Sequence, residues 1–155
     1  MLDREFALAV RHRNEFSCLI LDLDYFKKIN DSYGHAFGDL VLEEFAALLR
    51  IQSRKTDICA RYGGEEFVIL LPHTNLESAA NRAGKIRALA ESHLYKDDQH
   101  SCQVSCSIGV ASLKAHTPDT GDRLVGMADN ALYQAKEHGR NQVWLYTGDT
   151  QVAGQ

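Results

Sequence analysis

The 155-residue sequence lacks the features that mark membrane-embedded and polyanion-binding proteins. No apolar run reaches the roughly 18 residues of a membrane span, and no signal peptide is visible. Positive charge is not in excess, because 17 Lys and Arg residues stand against 21 Asp and Glu residues, for a net charge of −4. Strong non-specific binding to nucleic acid needs clustered positive charge. We therefore expect no membrane contact by this segment and no nucleic acid polymer as its partner.

Cysteine is also scarce, and its four positions show no metal-binding spacing. Cys102 and Cys106 fall in an alternating pattern typical of a strand, in which four residues span about 13 Å. They are therefore predicted neither to share a zinc ion nor to form a disulfide. Cys18 lies in an apolar run and is predicted to be a small core residue. This cysteine usage favours a reducing, cytoplasmic location.

The remaining composition is that of one ordinary globular domain, with 45% hydrophobic and 25% charged residues. Apolar runs and period-two patterns predict five strands, at 16–23, 56–62, 65–72, 103–113 and 142–146. Apolar residues at helical spacing predict helices at 2–13, 37–50, 75–94 and 122–138. Gly63 and Gly64 indicate a hairpin between the second and third strands, and Gly139 is a predicted helix C-cap.

The order β-α-β-β-α-β-α-β predicts an α+β fold, an α/β sandwich on a ferredoxin-like plan. Its central sheet contains antiparallel strands and has helices packed on it. In the first long helical stretch, a break is predicted near Gly34 or Gly38. The domain is predicted to cover residues 1–147, and the tail, 148–155, is predicted to be frayed.

Acidic residues stand at two strand ends that this plan can bring together. Asp22 ends the first strand, and Glu65 lies in the turn before a strand that can pair with it. Carboxylates at adjacent strand ends form a hard oxygen site suited to Mg²⁺. Two such ions activate an attacking hydroxyl and stabilise a leaving phosphate, which is nucleotidyl-transfer chemistry. The alternative is that Asp22 and Asp24 cap local structure while Glu65 and Glu66 are solvated turn residues.

The segment after the first strand, 22–39, adds groups that suit a nucleotide. Backbone amides of a turn just past a strand can cradle phosphates, and a lysine can help. Asn30 and Asp39 together can match the acceptor and donor edge of guanine. The competing interpretation is an Asn cap and an Asp in a helix first turn. Tyr33 and Phe37 are predicted to be core residues rather than base-stacking ones.

Three motifs in this order resemble the GGDEF-domain family of bacterial signalling enzymes, the diguanylate cyclases. They are DLDYFKKINDSYGHAFGD (22–39), RYGGEEF (61–67) and ADNALYQAKEHGRN (128–141), and the resemblance runs from about residue 15 to 146. It implies a fold similar to nucleotidyl-cyclase and polymerase-palm domains. It also implies condensation of two GTP molecules into cyclic di-GMP, with release of two pyrophosphates. The signature here is the GGEEF variant.

The resemblance implies a role for each matching residue. Asp22, the Leu23 carbonyl and Glu65 would hold two Mg²⁺ (or Mn²⁺) ions, with Glu65 and Glu66 as catalytic residues. Asp39 would favour GTP over ATP. The implied substrate-binding residues are Phe26, Lys27, Asn30, His35, Asp39, Gly63, Gly64, Lys136 and Arg140. For Lys136 and Arg140 the alternative is two C-terminal cations that complement a helix dipole.

The resemblance further implies an allosteric site at Arg54 and Asp57, an Arg-x-x-Asp pair that binds the product. An arginine can stack on guanine and fork to phosphate, and an aspartate can accept from the guanine amino edge.

The chain lacks the segment with which the family usually begins, so it is expected to be truncated, without a sensory or dimerising domain. The 3′-hydroxyl of each GTP must attack the α-phosphate of the other GTP, so a second copy of the domain is the expected partner. The isolated chain is predicted to be mostly monomeric and weakly active. The alternatives are a module that binds GTP or cyclic di-GMP without catalysis, and a polymerase-palm relative acting on nucleic acid, against which the acidic balance argues.

Overall fold

A computed structural model describes residues 1–149 of the protein. Its strands are β1 (Phe16–Leu23), β2 (Ile58–Gly63), β3 (Glu66–Pro72), β4 (Tyr95–Lys96), β5 (Ser101–Cys102), β6 (Cys106–Ser112) and β7 (Val143–Leu145). Its helices are α1 (Leu2–His12), α2 (Phe26–Tyr33), α3 (His35–Ile51), α4 (Leu76–Ser92), α5 (Leu113–His116) and α6 (Gly121–Glu137). Each predicted strand and helix is therefore present, with the predicted helix break at Gly34.

The main sheet has five strands in the order β2-β3-β1-β6-β7, and β4 and β5 pair separately. β1 is antiparallel to both of its neighbours, β3 and β6. Only β6 and β7 pair in parallel within the described sheet, and α6 makes the crossover between them. Every residue of β1 is buried, as its unbroken apolar run predicts. The predicted mixed sheet with helices packed on it is confirmed.

Alternation along β1 decides which helices each side chain meets. Leu19 and Leu21 belong to the core formed with α2, α3 and α4. Cys18 and Ile20 belong to the core formed with α1 and α6. Successive strand residues point to opposite faces, so Asp22 lies on the α6 side of the sheet. The predicted core position of Cys18 is confirmed.

A glycine lets α6 lie directly on the sheet. A Cβ on Gly109 of β6 would be 2.0 Å from the carbonyl oxygen of Ala128 and 2.3 Å from the amide nitrogen of Leu132. Such contacts are impossible, so only glycine permits this approach of helix to strand. The close packing fixes the last turn of α6, which carries Lys136, beside the end of β1.

Two glycines near the second helix have different roles. Gly34 has φ 90° and separates α2 from α3, where a residue with a side chain would be strained. Gly38 lies inside α3, and a Cβ there would be 1.9 Å from Oδ1 of Asn30. The missing side chain therefore makes room for Asn30, which explains a helical glycine so close to the break.

The strand predicted at 103–113 starts later than expected. β6 begins at Cys106, whereas Cys102 lies in β5, so the prediction of one strand holding both cysteines is wrong. The two cysteines belong to different sheets, because Cys102 pairs with Tyr95 of β4 whereas Cys106 pairs with Leu23 of β1. All four cysteines, which fall within the described residues, are free thiols.

The C-terminal end of α6 is closed by a glycine-containing cap. Gly139 follows the C-cap with φ 112°, and the amide of Arg140 donates to the Ala135 carbonyl at 2.9 Å, which confirms the predicted cap.

Most of the predicted tail, 148–155, lies outside the described residues, which end at residue 149. In the described part of this tail, a carboxylate oxygen of Asp149 accepts from Nη2 of Arg123 at 2.6 Å. Among the helices of residues 1–149, none is long and apolar enough to cross a bilayer.

Candidate active site

Acidic side chains meet where β1 and β3 end. The predicted pairing of these two strands is confirmed, and Asp22 is directly opposite Glu66 in their register. Oδ2 of Asp22 forms an ion pair with Nζ of Lys136 from α6. Its other oxygen, Oδ1, is buried and has no hydrogen-bond partner among the described residues. A buried carboxylate oxygen without a protein partner is unusual, and it indicates a position for a ligand.

The electrostatics of this end of the sheet disfavour negative charge. Burial raises the pKa of Asp22, and repulsion from Glu65 and Asp24 adds to this, while the Lys136 contact opposes it. Burial also raises the pKa of Glu66, followed by repulsion from Asp129 and Asp22. A bound cation would relieve both carboxylates.

The residues present fit a magnesium site that substrate completes. No group of three or more His, Cys, Asp and Glu side chains within residues 1–149 is arranged to hold a metal by itself. Mg²⁺ typically takes one or two carboxylates together with substrate phosphates, so two acids suffice. Asp22 offers its unpaired Oδ1, Glu65 lies in the adjoining turn, and Leu23 ends the strand.

The turn that carries Glu65 differs by one residue from the predicted hairpin. Its two turn residues are Gly64 and Glu65, and Gly63 still belongs to β2. The β2–β3 register shifts between Arg61 and Gly63, so Tyr62 is an extra, bulged residue. Gly64 has φ 48°, and its carbonyl accepts from Nε of Arg61 at 2.7 Å. Arg61, which the sequence interpretation did not assign, therefore holds the turn closed.

Asp24 contrasts with Asp22, since both of its oxygens are bonded. It accepts from the hydroxyls of Ser105 at 2.6 Å and Ser107 at 2.7 Å, and from the backbone amide of Asn141 at 3.0 Å. These donors come from the β5–β6 connection, β6 and the loop after α6. The alternative that Asp24 caps local structure is wrong, because its carboxylate is instead a clamp between distant segments. Its donors lie over 80 residues away, so no local pattern could reveal them.

The loop after α6 brings a second cation to this end of the molecule. Arg140 and Asn141 have φ of 62° and 49°, and the Asp24 clamp holds the amide of Asn141. The Arg140 guanidinium lies over the ring of Tyr25, with its carbon 4.8 Å from the ring centroid. Lys136 and Arg140 therefore both reach the residues around the end of β1.

The start of α2 offers backbone donors. No side chain in the described chain caps this helix at Tyr25, and Phe26 and Lys27 are its first two residues. Unsatisfied amides at a helix N-terminus attract anions such as phosphate. Phe26 is buried while Lys27 is exposed, so the aromatic ring anchors the turn.

A cavity of about 340 Å³ lies between α3 and the β2–β3 hairpin. Asp39, Arg50 and Phe67 are among its lining residues, and the volume is within the usual range for small-molecule sites. Asn30 packs against Gly38, the residue before Asp39, but it does not line this cavity, so the joint reading of a base by Asn30 and Asp39 stays a prediction. His35 is exposed at the first position of α3 and does not line this cavity.

Phe37 is buried and Tyr33 packs against it, in agreement with their predicted core positions.

The predicted allosteric pair lies apart from these acids. Asp57 and Gly63 stand at opposite ends of β2, roughly 20 Å of extended chain apart. Oδ2 of Asp57 accepts from the backbone amide of Arg54 at 2.8 Å and from Nη1 of Arg82 at 2.6 Å. The Asp57 side chain is 0% exposed, and its Oδ1 has no partner in residues 1–149. Arg54 itself is exposed.

Comparison with known proteins gives consistent matches. The family model described as "Diguanylate cyclase, GGDEF domain" matches residues 1–142. Diguanylate cyclase A of Treponema denticola is 42% identical over 133 residues, which are 86% of this chain and 36% of that protein. The response regulator PleD of Caulobacter vibrioides is 44% identical over 129 residues, 82% of this chain and 28% of its own length. The chain thus spans about a third of the length of these curated relatives.

Solved structures agree. The active GGEEF domain of a diguanylate cyclase from Vibrio cholerae superposes with a TM-score of 0.88 at 36% identity, covering 96% of this chain and 93% of that one. The GGDEF domain of DgcB from Caulobacter crescentus, in complex with c-di-GMP, gives a TM-score of 0.89 at 31% identity, covering 95% and 84%. These matches confirm the predicted family resemblance and fold.

Proposed function

The chain belongs to the family of diguanylate cyclase GGDEF domains, and we propose that it joins two GTP molecules into cyclic di-GMP with release of two pyrophosphates. The observation that carries the proposal is the buried, unpaired Oδ1 of Asp22, which faces a surplus of negative charge at the strand ends. That arrangement suits a divalent cation shared with a polyphosphate.

The residues divide the work between guanine and triphosphate. Asn30 and Asp39 bind the guanine edge. Asp39 does so from the cavity between α3 and the hairpin, where its carboxylate accepts from guanine and so selects GTP over ATP. Lys136, Arg140 and the amides at the start of α2 bind the phosphates. Gly63 and Gly64 carry no side chain, which lets ribose and phosphate approach the backbone.

In the reaction, the 3′-hydroxyl oxygen of one GTP bonds to the α-phosphorus of the other, and the bond to pyrophosphate breaks. Glu65 takes the hydroxyl proton, and Glu66 supports it from the first position of β3. Asp22, Glu65 and the Leu23 carbonyl would hold the metal ions. When bound, two Mg²⁺ or Mn²⁺ ions lower the pKa of the hydroxyl and offset the charge of the leaving group.

One copy of the domain binds one GTP, so the ring closes only between two copies. Each copy presents its 3′-hydroxyl to the α-phosphate held by the other, in a symmetric arrangement. The partner that completes the site is therefore a second copy of this chain. A further sensory or dimerising domain that raises the local concentration of the pair remains a prediction.

Product inhibition is proposed at Arg54 and Asp57. The exposed guanidinium of Arg54 can stack on guanine, and the unpaired Oδ1 of Asp57 can accept from it. Access to Asp57 requires that the Arg82 ion pair open, because the carboxylate is fully covered. We also propose a cytoplasmic location, which suits both GTP and free thiols.

A test uses the chain at high concentration with GTP and Mg²⁺, followed by chromatographic separation of the products. Cyclic di-GMP and two equivalents of pyrophosphate are expected. Binding of GTP without any product would favour the alternative, a module that binds GTP or cyclic di-GMP without catalysis. Absence of binding to both GTP and cyclic di-GMP would overturn both.

A further inference from the structure

Two cations contact the ring of Tyr25 at the turn that follows β1. Its ring centroid is 4.7 Å from Nζ of Lys28 and 4.8 Å from the guanidinium carbon of Arg140. Both distances are within the range of cation–π attraction. The residue is 56% exposed, so apolar burial does not explain its position.

The backbone on both sides of this contact is anchored. Tyr25 has φ 57°, and its carbonyl accepts from the amide of Lys28 at 3.0 Å. Arg140 has φ 62°, with Asp24 binding the amide of the next residue. Two separate segments therefore hold the phenol ring and the guanidinium in contact.

The side chains of Lys28 and Arg140 have no other described partner. Within residues 1–149, neither forms an ion pair or a side-chain hydrogen bond with a protein group. Two cations on one ring repel each other unless an anion joins them. A guanidinium over a ring face keeps its N–H edge free to fork to phosphate oxygens.

We propose that Tyr25 is a positioning residue, which holds Lys28 and Arg140 ready for the triphosphate of the nucleotide. This inference rests on the proposed function and deepens it, adding Lys28 and the Tyr25 ring to the substrate site. The ring lowers the cost of ordering two long side chains before the ligand arrives. Its effect falls on nucleotide affinity rather than on the bond-making step.

Two substitutions separate the ring from the turn. Tyr25→Phe keeps the ring and removes only the hydroxyl. Tyr25→Asn removes the ring but preserves the turn, because asparagine adopts positive φ readily. Binding is measured by calorimetry with Mg²⁺ and a GTP analogue that has a methylene group between its α- and β-phosphorus atoms. Thermal unfolding of each variant is recorded in parallel.

We expect Tyr25→Phe to bind within about twofold of the wild-type chain, and Tyr25→Asn to bind about fivefold more weakly, which corresponds to about 1 kcal/mol. Melting temperatures should stay unchanged because the ring is exposed. When Arg140→Gln and Lys28→Gln are already present, adding Tyr25→Asn should weaken nucleotide binding by less than about twofold, because the two cations that the ring positions are absent.

Two results would overturn this inference while leaving the proposed function intact. The first is that Tyr25→Asn binds the analogue with wild-type affinity. The second is that Tyr25→Asn weakens binding as much in the chain that lacks both cations as it does in the wild-type chain. The second result would mean that the ring acts on the ligand directly. Failure of the wild-type chain to bind the Mg²⁺–analogue complex would overturn the proposed function, and this inference with it.

Discussion

Asp22 and Asp24 stand two residues apart at the end of β1, yet their surroundings differ in kind. Asp24 has three donors for its two oxygens. Asp22 has one cation on Oδ2 and nothing on Oδ1 among the described residues. The first arrangement satisfies a buried charge from within the protein and so stabilises the fold. The second leaves a charge to be satisfied from outside, which is typical of a binding site.

The largest expected effect comes from Asp22→Asn. Loss of this ligand should lower cyclic di-GMP formation by at least a factor of about 100, since even outer-shell changes at metal sites cost 10–100-fold. The fold should not suffer, because the raised pKa of Asp22 reports a disfavoured charge and Lys136 can reach solvent. The free energy of unfolding, measured in urea, should stay within about 1 kcal/mol of the wild-type value or rise.

Asp24→Asn should show the opposite signature. An amide in place of the carboxylate turns one acceptor into a donor, which faces the backbone amide of Asn141. We expect the free energy of unfolding to fall by about 1–3 kcal/mol. Activity per folded molecule should stay at least about tenfold above that of Asp22→Asn. Equal stability of the two variants would contradict the assignment of Asp24 as a clamp.

Asp57 resembles Asp22 in having one oxygen on a helix cation and one unpaired. Asp57→Asn should raise the inhibition constant of cyclic di-GMP at least about tenfold, because a charge-assisted contact to guanine is lost. Asp97→Asn is a matched control, since Asp97 also accepts from backbone amides in an exposed turn. Inhibition that is unchanged in Asp57→Asn would remove the proposed product site.

The smallest expected effect is a pH-dependent difference in stability. The folded chain binds the Asp22 proton more tightly than the unfolded chain does, so the contribution of Asp22 to stability without metal should fall as pH rises above about 3.8. Asp22→Asn should lack this contribution. Mg²⁺ should restore wild-type stability at neutral pH, by about 1.4 kcal/mol when tenfold above its Kd. Denaturation curves at pH 4 to 7, with and without Mg²⁺, test this, and identical Mg²⁺ effects in both proteins would contradict it.

The sequence predicted the parts of this site that depend on strand order. Because β1 and β3 have strong apolar patterns, their pairing was predicted, and it brings the end of β1 beside the turn that carries Glu65. The residue directly opposite Asp22 is Glu66 rather than Glu65. The break at Gly34 and the cap at Gly139 follow from the freedom of glycine.

The remaining features depend on contacts between distant segments. The clamp on Asp24 uses Ser107 and Asn141, which no spacing rule connects with it. The hairpin turn moved by one residue because Tyr62 forms a bulge, and a bulge depends on the partner strand. The Tyr25 contact requires two left-handed residues, 25 and 140, whose conformations are set by the folded loops. Such features become visible only when the chain is folded.

The most direct test of the central claim is the initial rate of cyclic di-GMP formation as a function of protein concentration, with the monomer fraction measured in the same samples. If two copies must face each other, the rate should rise with the square of concentration while monomers dominate. A rate strictly proportional to concentration in demonstrably monomeric samples would contradict the account.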